Sequence, residues 1–135
     1  MNLNNTIANC AKESGLHTYF YVRRGEVNVR LDDAYDYPVL LRMFEERITP
    51  GRLNNQRRRT TTLFFCDSLG LAEPDTATEV LPIISKMEDR AFGFFERLRA
   101  AGVEVDIAYL EPFAEKFDVL CAGVRCEVTM TYNQC

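Results

Sequence analysis

Between Thr76 and Ala101 the chain carries a helical period long enough to dictate the layout of everything else. Val80, Ile84, Met87, Ala91, Phe94, Leu98 and Ala101 recur at alternating steps of four and three, which aligns them as one apolar stripe. Ile83 and Phe95 widen the stripe, while Glu88, Asp89, Glu96 and Arg99 fall on the opposite side. At ~1.5–3 kcal/mol for each large apolar side chain fully buried, such a face must lie against a second layer. Thr76 and Glu79 stand at capping-box spacing, with Asp75 as a rival cap, and Gly102 supplies the stop. Arg97 and Arg99 fall where they complement the C-terminal dipole. Pro82 has no amide for the carbonyl of Thr78, so a kink or a second effective start is expected near Leu81.

The segments around this helix carry the other period. Beyond Gly102, Val103, Val105, Ile107 and Tyr109 alternate with Glu104, Asp106 and Ala108, and Val124, Cys126, Val128, Met130 and Tyr132 alternate with Arg125, Glu127, Thr129 and Thr131. Period two with one polar face predicts antiparallel strands wetted on one side. The connection from Glu111 to Ala122 reads as too long for a tight hairpin. Upstream, residues 3 to 14 form a short helix with Leu3, Ile7, Cys10 and Ala11 on one side and Gly15 as its stop. His17 to Val22 is β-rich, and Val27 to Leu31 is an ambiguous strand. Val39 to Arg47 and Arg57 to Cys66 form a long hairpin around a polar turn that begins at Thr49-Pro50-Gly51. The order α-β-β-β-α-β-β implies an α+β fold, a mostly antiparallel sheet with two helices packed on one face.

With 135 residues, 47% of them hydrophobic, the chain has the core of a single domain spanning residues 1–135. The start, Met1-Asn2-Leu3-Asn4-Asn5, lacks the pattern of a secretory signal, and no apolar run approaches the ~18 residues of a membrane span, so a protein made and kept in a cytoplasm is expected. Cys10, Cys66, Cys121, Cys126 and Cys135 include no Cys-x-x-Cys pair. Cys121 and Cys126, five apart in a strand, point to opposite faces, so free thiols are expected, with neither metal nor cofactor.

No constellation points to catalysis. His17 is the sole histidine and has no flanking signature of a Cys-His nucleophile. Glu45-Glu46, Asp32-Asp33 and Glu88-Asp89 read as solvated charge, and the seven glycines form no phosphate loop. The net charge of −4 argues against general nucleic-acid binding, yet Arg52, Arg57, Arg58 and Arg59 place four arginines within eight residues. That run is a solvated loop and strand end, or a patch for phosphate or an acidic neighbour. Phe92, on the polar side of the long helix beside Gly93, is a candidate partner contact, since the glycine would leave room for another chain.

The order of elements, with the Tyr37-Pro38-Val39 entry to the hairpin, the Thr60-Thr61-Thr62-Leu63-Phe64-Phe65 return strand, the long helix, and the closing Lys116-Phe117-Asp118 and Gly123-Val124-Arg125-Cys126-Glu127-Val128, resembles the small tail-terminator (tail-completion) proteins of long-tailed phages and prophages. The likeness covers nearly the whole chain. It implies a structural virion protein and not an enzyme: subunits that assemble as a ring, commonly a hexamer, at the head-proximal end of the tail. The implied partners are other copies of the chain, the tail tube protein and the head-side connector or neck protein. DNA would only pass through the lumen, no membrane would be involved, and assembly would take place in the host cytoplasm. Inter-subunit contacts would come from the sheet and its hairpin. On chemistry, Arg57, Arg58 and Arg59 would then face Asp32, Asp33 and Asp36 of a neighbour. The competing readings are another neck or connector protein, a cytoplasmic nucleic-acid-binding α+β domain using the arginines, and a small-molecule enzyme, whose pocket the sequence does not advertise.

Overall fold

The structure is a computed structural model that describes residues 1–21, 38–43, 46–53, 55–68, 80–116 and 120–133. Two helices, α1 (Leu3–Glu13) and α2 (Leu81–Ala100), accompany six strands: β1 (His17–Tyr21), β2 (Val39–Met43), β3 (Arg47–Pro50), β4 (Gln56–Ser68), β5 (Glu104–Lys116) and β6 (Leu120–Asn133). The strands form one sheet in the order β1-β2-β4-β6-β5, with β3 paired to β4 beyond the end of β2. Only β1 and β2 run parallel; every other pair is antiparallel. The α+β reading therefore holds, with one strand more than the sequence suggested among the described residues.

Each helix ends where glycine lets it. In α2 the amide of Val103 donates to Leu98 O at 3.0 Å and that of Gly102 to Arg99 O at 3.1 Å, with Gly102 at φ 94. In α1, Leu16 donates to Ala11 O and Gly15 to Lys12 O, with Gly15 at φ 75. Both are Schellman closures, and the residue after each glycine, Val103 or Leu16, is buried as the accompanying apolar contact. At the other end α2 begins at Leu81, with Val80 before it and proline in its first turn, where a missing amide is harmless. Val80 itself has helical φ −81 and ψ −46, and the kink or second start expected near Leu81 falls at the edge of the described residues. The capping-box residues Thr76 and Glu79, and the ambiguous strand at Val27 to Leu31, lie outside the described residues.

The apolar stripe of α2 packs as the period requires. Met87, Ala91, Phe94, Phe95 and Leu98 are buried, together with Leu3, Ile7, Cys10 and Ala11 of α1, on the sheet face bearing Leu40, Leu63, Phe65, Val124, Cys126, Val128, Met130 and Tyr132. Phe65 meets Phe94 and Phe95 edge-on at centroid distances of 5.6 and 5.7 Å, and the two helix rings meet each other at 5.6 Å. The ends of the stripe are looser than its period suggests. Ile84 is only partly buried and Ala101 is exposed, although Val80, one turn before Ile84, is buried.

Three expectations about strands are corrected. The segment Val39 to Arg47 is two strands, β2 and β3, each paired to its own half of β4, and Thr49 and Pro50 belong to β3, so the turn begins at Gly51. The long connection after Glu111 is strand on both sides, since β5 and β6 stay paired out to Lys116↔Leu120 and leave only residues 117–119 between them. Pro112 is tolerated there because β5 is an edge strand. Finally, a register shift between Ile107 and Tyr109 turns Tyr109 off the core face. Ile107 and Leu110 face the helices, whereas Tyr109 sits opposite Glu127 and its hydroxyl accepts from Arg125 Nη2 at 3.1 Å.

The second face of the sheet is apolar at one end and polar at the other. Val39, Leu41, Met43, Phe64, Cys66 and Cys121 are buried on it, and Phe64 meets Phe113 edge-on at 5.6 Å. Here β4 and β6 approach so closely that a Cβ at Gly123 would overlap the Phe65 carbonyl oxygen and lie 2.8 Å from Cys66 Cα. Toward the β3–β4 turn the same face carries Arg58, Thr60, Thr62, Glu127, Thr129 and Thr131, with the Thr60 and Thr129 hydroxyls bonded at 3.0 Å.

Candidate interaction surface

The β3–β4 hairpin is held by short-range bonds that fix its arginines in space. Gly51 N donates to Gln56 O at 2.9 Å and Gln56 N to Leu53 O at 3.0 Å, and the Gln56 side chain accepts from Leu53 N at 3.4 Å. All four residues of β3 are exposed. Along β4, Arg57 and Arg59 share the sheet face that carries the helices, opposite Tyr132 and Met130, while Arg58 lies on the other face opposite Thr131.

Arg59 turns inward. Its Nη1 donates to Asn4 Oδ1 at 3.2 Å and lies 3.4 Å from Glu46 Oε2, its Nη2 donates to the Tyr132 hydroxyl at 3.3 Å, and its guanidinium sits 5.8 Å from the centre of the Tyr132 ring. Glu46 is shared with Arg42, whose Nη2 donates to Glu46 Oε1 at 2.9 Å and whose Nη1 donates to the same Asn4 oxygen at 3.1 Å. The Arg42 and Glu46 side chains are only 5% and 7% exposed. Burial pulls the Arg42 guanidinium below its ordinary range, the Glu46 carboxylate opposes that, and the nearby Arg59 adds to it. Arg59 is therefore tied into a buried cluster that joins α1, β2, β4 and β6.

Arg57, nearer the turn on the same face as Arg59, and Arg58, on the opposite face, are both exposed, as are Arg47 and Arg52. Among the described residues none of these four has an ion-pair partner. Arg52 and Arg58 line a shallow hollow with Leu53, Gln56, Glu104 and Thr131. Two large apolar side chains stand among them, Ile48 at 55% and Leu53 at 66% exposure. The tip thus presents cations and uncovered hydrocarbon together, a pairing that suits an acidic protein surface better than bulk water.

The other sequence candidates are placed as follows. Asp32, Asp33 and Asp36 lie outside the described residues. Phe92 is 44% exposed on the outer side of α2. The space over Gly93 is not open: Arg97, in the last turn of α2, donates through Nη1 to Gly93 O at 3.2 Å and to Ser14 Oγ at 3.3 Å, so it also reaches the end of α1. Arg90 joins it there, donating to Gly15 O at 2.8 Å. His17 is exposed at the head of β1, whereas Cys10, Cys66, Cys121 and Cys126 are buried.

The Arg42–Glu46–Arg59 cluster is the feature that sequence reasoning missed, having taken Glu46 as solvated. One signal pointed to it. An arginine inside Val39-Leu40-Leu41-Arg42-Met43, a strand otherwise wholly apolar, needs a buried carboxylate. Nothing local named Glu46 or Arg59 as its company. No described helix is long and apolar enough to cross a membrane, and no group of three metal-ligating side chains occurs among the described residues. In comparison with known proteins, no family model matches this chain and no curated protein matches it.

Proposed function

We propose that the protein is a structural subunit of a phage tail, a tail terminator that caps the tail tube and offers a joining surface to the head-side connector. The order of elements supports this reading, and the observation that carries it is the β3–β4 tip. Four exposed arginines without ion-pair partners among the described residues and two exposed apolar side chains belong to this hairpin, on a chain of net charge −4. A basic, part-apolar tip on an acidic subunit is what a head-to-tail ring needs, since the tip of one copy meets a different, acidic surface on the next. A partner role also gives Arg57 and Arg58 a use that the fold itself does not.

The test is made in an assembling tail system. Deleting the protein is expected to give tails of irregular length that do not join heads. Reversing Arg57 and Arg58 to glutamate, with Arg59 left in place to preserve the Glu46 cluster, is expected to do the same while the subunit stays folded. Tails of normal length that still join heads after deletion would end the terminator reading. Normal assembly with the reversed tip would end the role given to the arginines.

A further inference from the structure

The outer side of α2 is divided by charge. Lys86, Arg90 and Arg97 lie on one flank and are all engaged within the chain, by Asp67 at 3.0 Å, by Gly15 O, and by the Ser14 hydroxyl and Gly93 O. On the other flank Leu81, Ser85, Glu88, Phe92 and Glu96 follow one another at steps of three and four, with Asp89 beside them. Leu81 and Phe92, at 54% and 44% exposure, stand about 16 Å apart along this stripe. Glu96 is bonded to Arg99, but Glu88 and Asp89 have no ion-pair partner among the described residues.

This stripe and the β3–β4 tip complement one another. The tip carries two exposed apolar side chains among cations, and the helix two exposed apolar side chains beside Glu88 and Asp89, none of these charges having an ion-pair partner among the described residues. Because the two surfaces lie on different parts of one chain, their contact is heterologous and propagates from copy to copy. We infer that the α2 stripe formed by Leu81, Glu88, Asp89 and Phe92 is the seat, on a second copy of this chain, for the tip formed by Ile48, Leu53, Arg57 and Arg58. This rests on the ring reading above and names the surface that receives the arginines. Joining the apolar pairs removes hydrocarbon from water, and the flanking charges set the direction and the register.

Charge exchange tests it. Glu88→Arg with Asp89→Arg, and separately Arg57→Glu with Arg58→Glu, should each weaken self-association by about tenfold or more in sedimentation velocity. All four positions are exposed, so melting temperature and circular dichroism should be unchanged. Mixing the two variants should restore association, because each tip then meets a helix of opposite charge. A photo-crosslinking side chain at position 92 should capture residues 48–58 of another copy, in the free protein or in assembled tails. If the helix variant associates like the parent, if mixing restores nothing, or if position 92 captures another segment, a different protein or nothing in either setting, the inference fails. Should either reversed pair unfold, Leu81→Ser with Phe92→Ala gives the same reading without a change of charge. The two proposals fail separately. Tails indifferent to deletion remove the terminator role while the crosslink can stand, and tails that need the protein but tolerate the α2 reversal remove this contact alone.

Discussion

Arg57, Arg58 and Arg59 are chemically identical neighbours with different work, and the difference is their place on β4: Arg58 lies on the other face of the sheet, and Arg57 shares the face of Arg59 but stands two residues nearer the turn, outside the contacts of Glu46. Arg59 shares Glu46 with Arg42, while Arg57 and Arg58 reach water. Arg42→Ala leaves Glu46 buried with a weaker counter-charge and is expected to lower stability by about 3–5 kcal/mol. Arg57→Ala should stay within about 0.5 kcal/mol. Chemical denaturation of both variants checks the contrast, and equal losses would contradict the contacts assigned to them. Cys126 gives a second residue-level expectation. Burial pushes its thiol from 9.0 up to about 12, and burial likewise raises Cys10; Cys66 is raised first by a hydrogen bond with Cys121 and then by burial. The folded chain therefore keeps protons that the unfolded chain releases above about pH 9, so stability is full below that pH and falls as pH rises toward about 12. Melting temperatures measured across that window should decline, and Cys126→Ala should flatten the decline; an unchanged slope would count against the burial of this thiol.

At the scale of elements, α2 is the piece whose sequence and structure agree most closely. The buried positions Met87, Ala91, Phe94 and Leu98 fall on the period, and Phe95 joins them through its contact with Phe65. Leu98→Ala is expected to cost about 2–5 kcal/mol by denaturant unfolding, the range for a leucine removed from a packed core. A loss below about 0.5 kcal/mol would mean that this side chain faces water. The strand β5 shows the limit of such reading. Val105 and Ile107 obey period two, but the register shift after Ile107 moves Tyr109 to the polar face. A shift of this kind is set by the partner strand, and no local pattern in Glu104 to Leu110 announces it.

For the whole molecule, the β-sheet is the frame and both helices share one of its faces. The cluster around Glu46 ties α1 to β2, β4 and β6, while Arg90 and Arg97 tie α2 to the end of α1, so the helical layer is anchored by charge as well as by packing. Arg47, Arg52, Arg57 and Arg58 around the β3–β4 tip and Glu88 and Asp89 on the outer flank of α2 lack ion-pair partners among the described residues, as do Glu104, Asp106 and Glu127 of the β5–β6 pair. The proposed function and the proposed contact both follow from this division between charges used within the subunit and charges left outside it.

The α+β class, the long helix, its stop at Gly102, and the alternating faces of β6 were all determined by the chain itself. Each depends on a period or a backbone preference that acts within a few residues. Tertiary structure alone decided that Val39 to Arg47 divides into two strands, that β5 and β6 continue to a three-residue connection, that Glu46 is buried between two arginines, and that one arginine in the run of three is spent on the fold. Those outcomes depend on which distant segment lies alongside: β4 is long enough to receive both β2 and β3, and Asn4 and Tyr132 reach Arg59 from opposite ends of the chain. Local periodicity carries no information about such neighbours, because their energies come from contacts made only after the sheet has assembled.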